Sequence, residues 1–242
     1  MKFSLSFSFL IAFFSLVFLC QELHDWSHVF VGTWLCGCFG SKGFDSWTLC
    51  DHCEVSGNIL ALVWFAGPAV TVLLAWIARA MMNKRNSGAI RSAGFSLLFA
   101  ANPFVNIIKV VSGDGDIPYG MKLIFQPQKG SNGDVISIIA LLIVFIFTIP
   151  PLFRAIKMVK TKIEKWIIIP AFLILPNLIK TLVVTIGLNF LLKRDVFQED
   201  IFSGTPLLVL IWLFIIIVLL MINYKSLLNF IRKKENKAFL RI

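Results

Sequence analysis

The sequence predicts an all-α fold, a polytopic transmembrane bundle of about six spans. Two properties of the composition predict it: 58% of the 242 residues are apolar and only 15% are charged. Soluble proteins average about 45–50% apolar and about 25% charged residues, so this chain has too few charges to cover a water-exposed surface. The same composition excludes a disordered chain and a soluble nucleic-acid-binding protein.

Six apolar stretches are long enough, at roughly 20 residues each, to cross a hydrocarbon core of about 30 Å. They lie at 4–31, 58–80, 91–111, 134–154, 166–191 and 206–230. Each is predicted to be a helix because a span in the lipid bilayer must satisfy its backbone polar groups internally. The first stretch begins like a secretory signal, but no small-residue cleavage pattern follows near Cys20. We therefore expect it to remain an uncleaved helix.

The net charge of +10 is explained by membrane topology. Basic residues concentrate in the loop at 81–90, in the loop after the fourth stretch and in the C-terminal tail. The alternate loops, at 32–57, 112–133 and 192–205, are poorer in positive charge or balance it with acidic residues. The positive-inside rule then predicts both termini in the cytoplasm, and we expect a bacterial inner (plasma) membrane. The partner this implies is the lipid bilayer, and no nucleic acid is expected.

Two histidines lie near the outer end of the first stretch. His24 and His28 are four residues apart, so they share one helix face and can hold one zinc ion. Asp25 occupies the place of the Glu in H-E-x-x-H, where the carboxylate is the general base, so Asp25 is the candidate catalytic residue. Glu22 is a possible substitute base, although it lies on roughly the opposite face from His24.

The prediction of a metal site at His24 and His28 is better supported than that of a catalytic base at Asp25. Asp25 is one methylene shorter than Glu, and a general base must reach within about 3 Å of its proton, so metal binding is better supported than hydrolysis. The alternative is that both histidines cap a helix near the lipid headgroups. The metal interpretation is favoured because two of the three histidines of the chain lie in this apolar span, where polar groups are costly.

The third ligand is expected from the end of the third stretch, which reaches the same side of the membrane. Asp114 and Asp116 are both candidates there. By helical periodicity, Asn102, Asn106 and Lys109 share one face of the third stretch, and that face leads to the two aspartates. Polar residues aligned in this way inside a membrane usually face a protein interior or a water-filled cavity.

These motifs resemble those of site-2-protease-type intramembrane zinc metalloproteases. The matching segments, within about residues 18–118, are His24-Asp-x-x-His28, Ala66-Gly67-Pro68 and Asn102-Pro103…Asn106…Asp114-Gly-Asp116. The resemblance implies a Zn2+ cofactor, peptidase (hydrolase) activity within or next to the membrane, and a membrane-protein or peptide substrate. The spacing from Asn106 to Asp114 fits the family motif, whereas a Gly-Gly-x-Asp-like variant selects Asp116. Ala66, Gly67 and Pro68 are interpreted as helix-packing residues.

The chain departs from the family pattern in three ways. Asp25 replaces Glu, Thr71 stands where Asn is common, and the charge pattern places the site toward the outer face. We therefore expect an attenuated peptidase, with a non-catalytic membrane scaffold or assembly factor that keeps the metal site as the alternative. The resemblance divides the chain into a metalloprotease-like core at 1–118, which includes the cysteine-rich loop at 32–57, and additional helices with a basic tail at 119–242.

The cysteine-rich loop has three interpretations. Cys36-Gly-Cys38 and Cys50-Asp-His-Cys53 can form two structural disulfides in an oxidising compartment, with three possible connectivities. The four thiolates can instead hold a structural zinc, with His52 as a substitute ligand. A redox function through Cys50 and Cys53 is the third interpretation and implies a membrane thiol–disulfide oxidoreductase.

The second half carries one polar pair within an apolar span, Asn177 and Lys180. A lysine near the middle of a bilayer is costly unless it is paired or hydrated. Three readings remain open: a substrate path, a partner for a carboxylate, or a lysine that extends to the membrane surface.

Overall fold

A computed structural model describes residues 2–3, 5–125, 133–194, 196–197, 199–202 and 204–232. Within them the helices are α1 (Phe7–Cys36), α2 (Gly57–Met81), α3 (Gly88–Ala101), α4 (Val105–Val111), α5 (Asp116–Phe125), α6 (Gly133–Ile156), α7 (Lys162–Lys180), a π-helical segment (Thr181–Leu188), α8 (Asn189–Leu192) and α9 (Leu207–Leu228). The strands are short: β1 (Lys2–Phe3), β2 (Asp200–Phe202), β3 (Thr205–Pro206) and β4 (Ile231–Arg232). The predicted all-α bundle is confirmed.

Six helical stretches in the described residues are long and apolar enough to cross a membrane, as predicted. They are α1, α2, α3 with α4, α6, α7 through α8, and α9. The first and last strands, β1 and β4, pair antiparallel, so the two ends of the described bundle lie on one side. This agrees with six spans, because a chain that crosses a membrane an even number of times has both ends on the same side. The basic tail beyond Arg232 and residues 126–132 of the loop at 112–133 lie outside the described residues.

Helix α1 is longer than the apolar stretch predicted at its position. The side chain of Ser6 caps its N-terminus by accepting from the backbone N–H of Phe9 at 3.1 Å. Gly37 ends it with a positive φ of 71°, which glycine adopts without steric cost. The two caps enclose the apolar residues before Gln21 and those after His28, so the polar residues between them are carried on one continuous helix.

The third span is not the continuous helix that the periodicity argument assumed. Asn102 adopts a left-handed conformation, with a φ of 42°, and ends α3. Pro103 follows it, and a proline ring disfavours helical backbone at the preceding residue. The chain resumes as α4 and turns into α5, which packs against α2. This break directs the end of the span toward the histidines of α1.

The main core of the bundle is aromatic. Helix α1 packs against α2 and α9, and α3 contacts all three. The buried rings at the centre are Phe9, Phe13, Phe95, Phe99, Phe172 and Phe230. Phe9 stacks on Phe230 with ring centroids 4.0 Å apart. The core thus joins residues from both sides of position 118, and the domain boundary there stays a prediction.

Candidate metal centre

The two histidines of α1 converge with an aspartate of α5. Nε2 of His24 lies 3.4 Å from Nε2 of His28. Nε2 of His24 is also 3.2 Å from Oδ2 of Asp116, and Nε2 of His28 is 3.9 Å from its Oδ1. The three side chains form a group that could hold a metal ion. His28 is fully buried, and the other two side chains are each only 12% exposed.

The partners on α2 orient both imidazole rings. Nδ1 of His28 lies 2.6 Å from the carbonyl oxygen of Val63, which can only accept, so this nitrogen carries a proton. The hydroxyl of Thr71 donates to the carbonyl of Gly67 at 3.1 Å, so it accepts from Nδ1 of His24 at 2.9 Å. In the neutral rings both Nε2 atoms are therefore acceptors. Both Nε2 atoms then present their lone pairs to the space that they share with Asp116, as the ligands of a metal ion would.

The structure distinguishes between the two candidate aspartates. Asp116 begins α5 and faces the histidines, while Asp114 is exposed and accepts from the backbone N–H of Gly115 at 2.8 Å. Gly113 and Gly115 have φ values of 73° and 90°, and this glycine turn directs α5 back toward α1. Asp114 therefore lies outside the group, and the sequence could not separate the two because both follow a glycine.

Asp116 is held as an anion. Burial raises its pKa, but the close approach of the His24 imidazole and the nearby ammonium of Lys109 outweigh this effect, so the pKa lies below its usual value. Nζ of Lys109 is 3.8 Å from Oδ2 of Asp116. Since a carboxylate binds metals in its ionised form, Asp116 remains a competent ligand through the mildly acidic range.

Gly67, interpreted from the sequence as a packing residue, lies directly against the metal group. A Cβ atom built on Gly67 would be 2.6 Å from Nε2 of His24 and closer still to Nε2 of His28. Such distances are shorter than real Cβ contacts, so the absence of a side chain leaves the space between the rings free. The Ala66-Gly67-Pro68 motif was the sequence signal for Gly67. Its contact with the imidazole rings could not be predicted from the small size of glycine alone.

Asp25, the predicted base, points toward the cysteine-rich loop. Its Oδ2 lies 3.4 Å from Nζ of Lys42, and its Oδ1 accepts from Nε2 of Gln21 at 2.8 Å. The substitute base, Glu22, contacts the same ammonium, with Oε2 at 3.3 Å. Lys42 is fully buried. The catalytic role of Asp25 stays a prediction.

The predicted polar face lines a cavity beside His24. The cavity has a volume of about 80 Å³, and Asn102, Asn106 and Lys109 form part of its wall. The buried Nδ2 atom of Asn102 has no hydrogen-bond partner among the described residues. The helix break did not separate these three residues from the site, because α4 continues along the same wall.

The second half contributes to this cavity and to the loop contacts. Asn177 and Lys180 of α7 also line the cavity. Nζ of Lys180 lies 3.2 Å from Oδ1 of Asp45 in the cysteine-rich loop. Of the three readings for Lys180, a carboxylate partner is the one that the structure shows.

The loop cysteines form the disulfides Cys36–Cys53 and Cys38–Cys50. This pairing selects one of the three possible connectivities and leaves none of these four thiolates for a structural zinc. Cys50 and Cys53 are each bonded to another cysteine and not to one another. His52 is exposed.

Changing Asp116 and Asp114 to asparagine, one at a time, tests which of the two binds the metal ion. We expect Asp116→Asn to weaken metal binding on the order of 100-fold, by analogy with the 10–100-fold cost of disturbing even a supporting residue of a metal site. Asp114→Asn is the matched control and should bind as the unmodified protein does. Titration with zinc against a competing chromophoric chelator measures both. An equal loss in the two variants would contradict the geometry.

The chain is a multi-pass helical membrane protein with a His-His-Asp group capable of holding a metal ion and with two disulfides. The membrane-spanning helices imply direct contact with a lipid bilayer. Comparison with protein-family models, with curated proteins and with solved structures finds no match for it.

Proposed function

We propose that this protein is a site-2-protease-type intramembrane zinc metallopeptidase of attenuated activity, with His24, His28 and Asp116 as the zinc ligands. The observation that carries the proposal is the convergence of two imidazole acceptors and one carboxylate at 3.2–3.9 Å. Three protein ligands and an open fourth position are the usual arrangement of a catalytic zinc site.

The ligand separations support zinc in particular. Zinc–nitrogen bonds of about 2.0–2.1 Å in tetrahedral geometry place ligand atoms roughly 3.3–3.4 Å apart. The distances from Nε2 of His24, 3.4 Å to Nε2 of His28 and 3.2 Å to Asp116, match this value closely. Nε2 of His28 and Oδ1 of Asp116 are 3.9 Å apart, which is longer than this value. The carboxylate of Asp116 would therefore have to rotate for all three ligands to bind one zinc ion. Imidazole and carboxylate ligands without thiolate are typical of catalytic rather than structural zinc.

The residues around the group have separable roles. His24, His28 and Asp116 would hold the zinc ion, which would supply a Lewis acid for a carbonyl group and a bound water with a pKa of about 7. Val63 and Thr71 keep the two rings in the tautomer that binds metal. The cavity lined by His24 and Asn102 has room for water beside the proposed ligands. Asp25 is the proposed base, and its contact with Lys42 makes slow hydrolysis the expected behaviour.

We further propose that both termini are cytoplasmic and that the metal group lies toward the opposite face of a bacterial inner membrane. Two observations support this orientation. Disulfides persist in oxidising compartments, and both disulfides lie in the loop that covers the metal group. The basic residues of the loop at 81–90 lie at the other end of α2, as the positive-inside rule requires of a cytoplasmic loop.

The proposal is tested by metal content and peptide cleavage. We expect the purified protein to carry about one zinc per chain, as one three-ligand site implies, and the His24→Ala/His28→Ala variant to carry none, as measured by plasma mass spectrometry. We expect Asp25→Glu to raise cleavage of an apolar fluorogenic peptide in detergent by at least about tenfold, because a base at the right reach contributes roughly 10²–10⁴. Equal zinc in both proteins would contradict the site. Bound zinc without cleavage in either the unmodified protein or Asp25→Glu, with and without dithiothreitol, would favour the non-catalytic scaffold.

A further inference from the structure

The cysteine-rich loop folds over the metal group as a small hairpin. Lys42 and Trp47 face each other across it in an antiparallel bridge. The backbone N–H of Gly43 donates to Ser46 at 2.8 Å, and that of Thr48 donates to Ser41 at 2.9 Å. Residues opposite each other in an antiparallel pair point to the same face. The hairpin therefore directs the lysine and the tryptophan to the same side, toward α1.

These two side chains contact the site itself. The ring of Trp47 stacks on His28, with centroids 4.5 Å apart and planes 10° apart. Trp47 also packs against Trp64 of α2, which in turn contacts Tyr119 of α5. The imidazole of His28 is thus covered by an aromatic row that spans three elements, and it has no exposed surface.

Lys42 engages the residue that the proposed mechanism requires as a base. Its ammonium lies between the carboxylates of Asp25 and Glu22, at 3.4 and 3.3 Å. Asp25 directly follows the ligand His24. A carboxylate held by a buried ammonium is unavailable to a substrate, so the loop opposes catalysis as well as covering the metal group.

The tip of the hairpin is attached to the second half of the bundle. Phe44 is buried in a cluster with Phe18, Val184 and Leu208. Asp45 pairs with Lys180 and accepts from Thr185 at 2.8 Å. The base of the loop is closed by the two disulfides, which join its beginning at 36–38 to its end at 50–53.

We propose that the cysteine-rich loop is a disulfide-locked, autoinhibitory lid over the metal group, opened when a dithiol reductant cleaves Cys36–Cys53 and Cys38–Cys50. Each cleavage transfers two electrons and two protons from the dithiol to the disulfide, so two free cysteine thiols form and the dithiol becomes a disulfide. Without these cross-links the hairpin gains conformational entropy when it separates from α1. Trp47 then uncovers His28, and Lys42 releases Asp25. The inhibitory part of this inference rests on the proposed function, whereas the covering of His28 does not.

The test measures the chemical accessibility of His28, which needs neither zinc nor activity. The full-length protein in detergent is treated with a chelator, then with diethyl pyrocarbonate before and after reduction by dithiothreitol. Peptide mass spectrometry gives the modification of His28 relative to the exposed His52. We expect His28 to be protected in the oxidised protein and to react at least about tenfold faster after reduction, within the roughly hundredfold that the loss of a loop cross-link can give.

A variant with intact disulfides provides the second arm. Trp47→Ala should expose His28 in the oxidised protein, and Trp47→Phe, which keeps a ring on His28, should restore most of the protection. Far-ultraviolet circular dichroism of each sample checks that the helices remain folded. The lid is overturned if all four loop cysteines are free by mass spectrometry and His28 stays as protected as before. Because the measurement is made without metal, a protein that binds no zinc refutes the proposed function and leaves the lid to be judged by His28 alone.

Discussion

Gly67→Ala is expected to reduce zinc affinity on the order of 100-fold while the helices of the bundle remain folded. The added methyl group would lie 2.6 Å from Nε2 of His24 and closer to Nε2 of His28, in the space where a metal ion would be held. The rings cannot turn aside easily, because Val63 and Thr71 hold their Nδ1 atoms. Competition titration with a chromophoric chelator measures the affinity, and circular dichroism monitors the helical fold.

Gly57→Ala is the matched control on the same helix. A Cβ atom at Gly57 would meet only Leu123, at 4.0 Å, which is an ordinary van der Waals distance. This variant should bind zinc as the unmodified protein does. If Gly67→Ala also retains full affinity, the ligand group must lie farther from α2 than the structure places it, and the metal-site proposal would lose its geometric basis.

Lys42→Met is expected to produce the largest loss of stability, about 3–5 kcal/mol in the free energy of unfolding, because removing one partner of a buried ion pair leaves the other charge uncompensated. Here a single ammonium with no exposed surface faces both Glu22 and Asp25, which are 5% and 8% exposed. Methionine fills a similar volume, so the effect reports the charge rather than a cavity. Unfolding in a mixed detergent and denaturant series, followed by circular dichroism, measures it.

Two further variants show whether the loss has this electrostatic cause. Glu22→Gln/Asp25→Asn added to Lys42→Met removes all three charges and should recover most of the stability, because neutral groups of the same shape carry a smaller desolvation cost. Lys109→Met tests a more exposed ammonium, 43% exposed and 3.8 Å from Asp116, and should cost only about 0–1 kcal/mol. A triple variant as unstable as Lys42→Met would show that the lysine stabilises the loop by packing.

Local features of the site could be predicted from the sequence, and remote contacts could not. The spacing of His24 and His28 is a property of one helix, so their common face followed from periodicity alone. The choice between Asp114 and Asp116 depends on a glycine turn and on where α5 packs. The interpretation of Gly67 as a packing residue was incomplete for the same reason, because its contact with the rings needs two helices in place.

The sequence by itself determined the all-α membrane fold, the approximate spans and the histidine pair, because hydrophobic length and helical spacing act within one segment of chain. Only the tertiary structure decided the pairing of the four loop cysteines, the choice of Asp116 and the contacts of Lys42 with Asp25 and Glu22. Each of these joins a loop or turn to a different helix. Such contacts depend on how loops and turns pack against distant helices. The composition and periodicity of a single segment do not determine that packing.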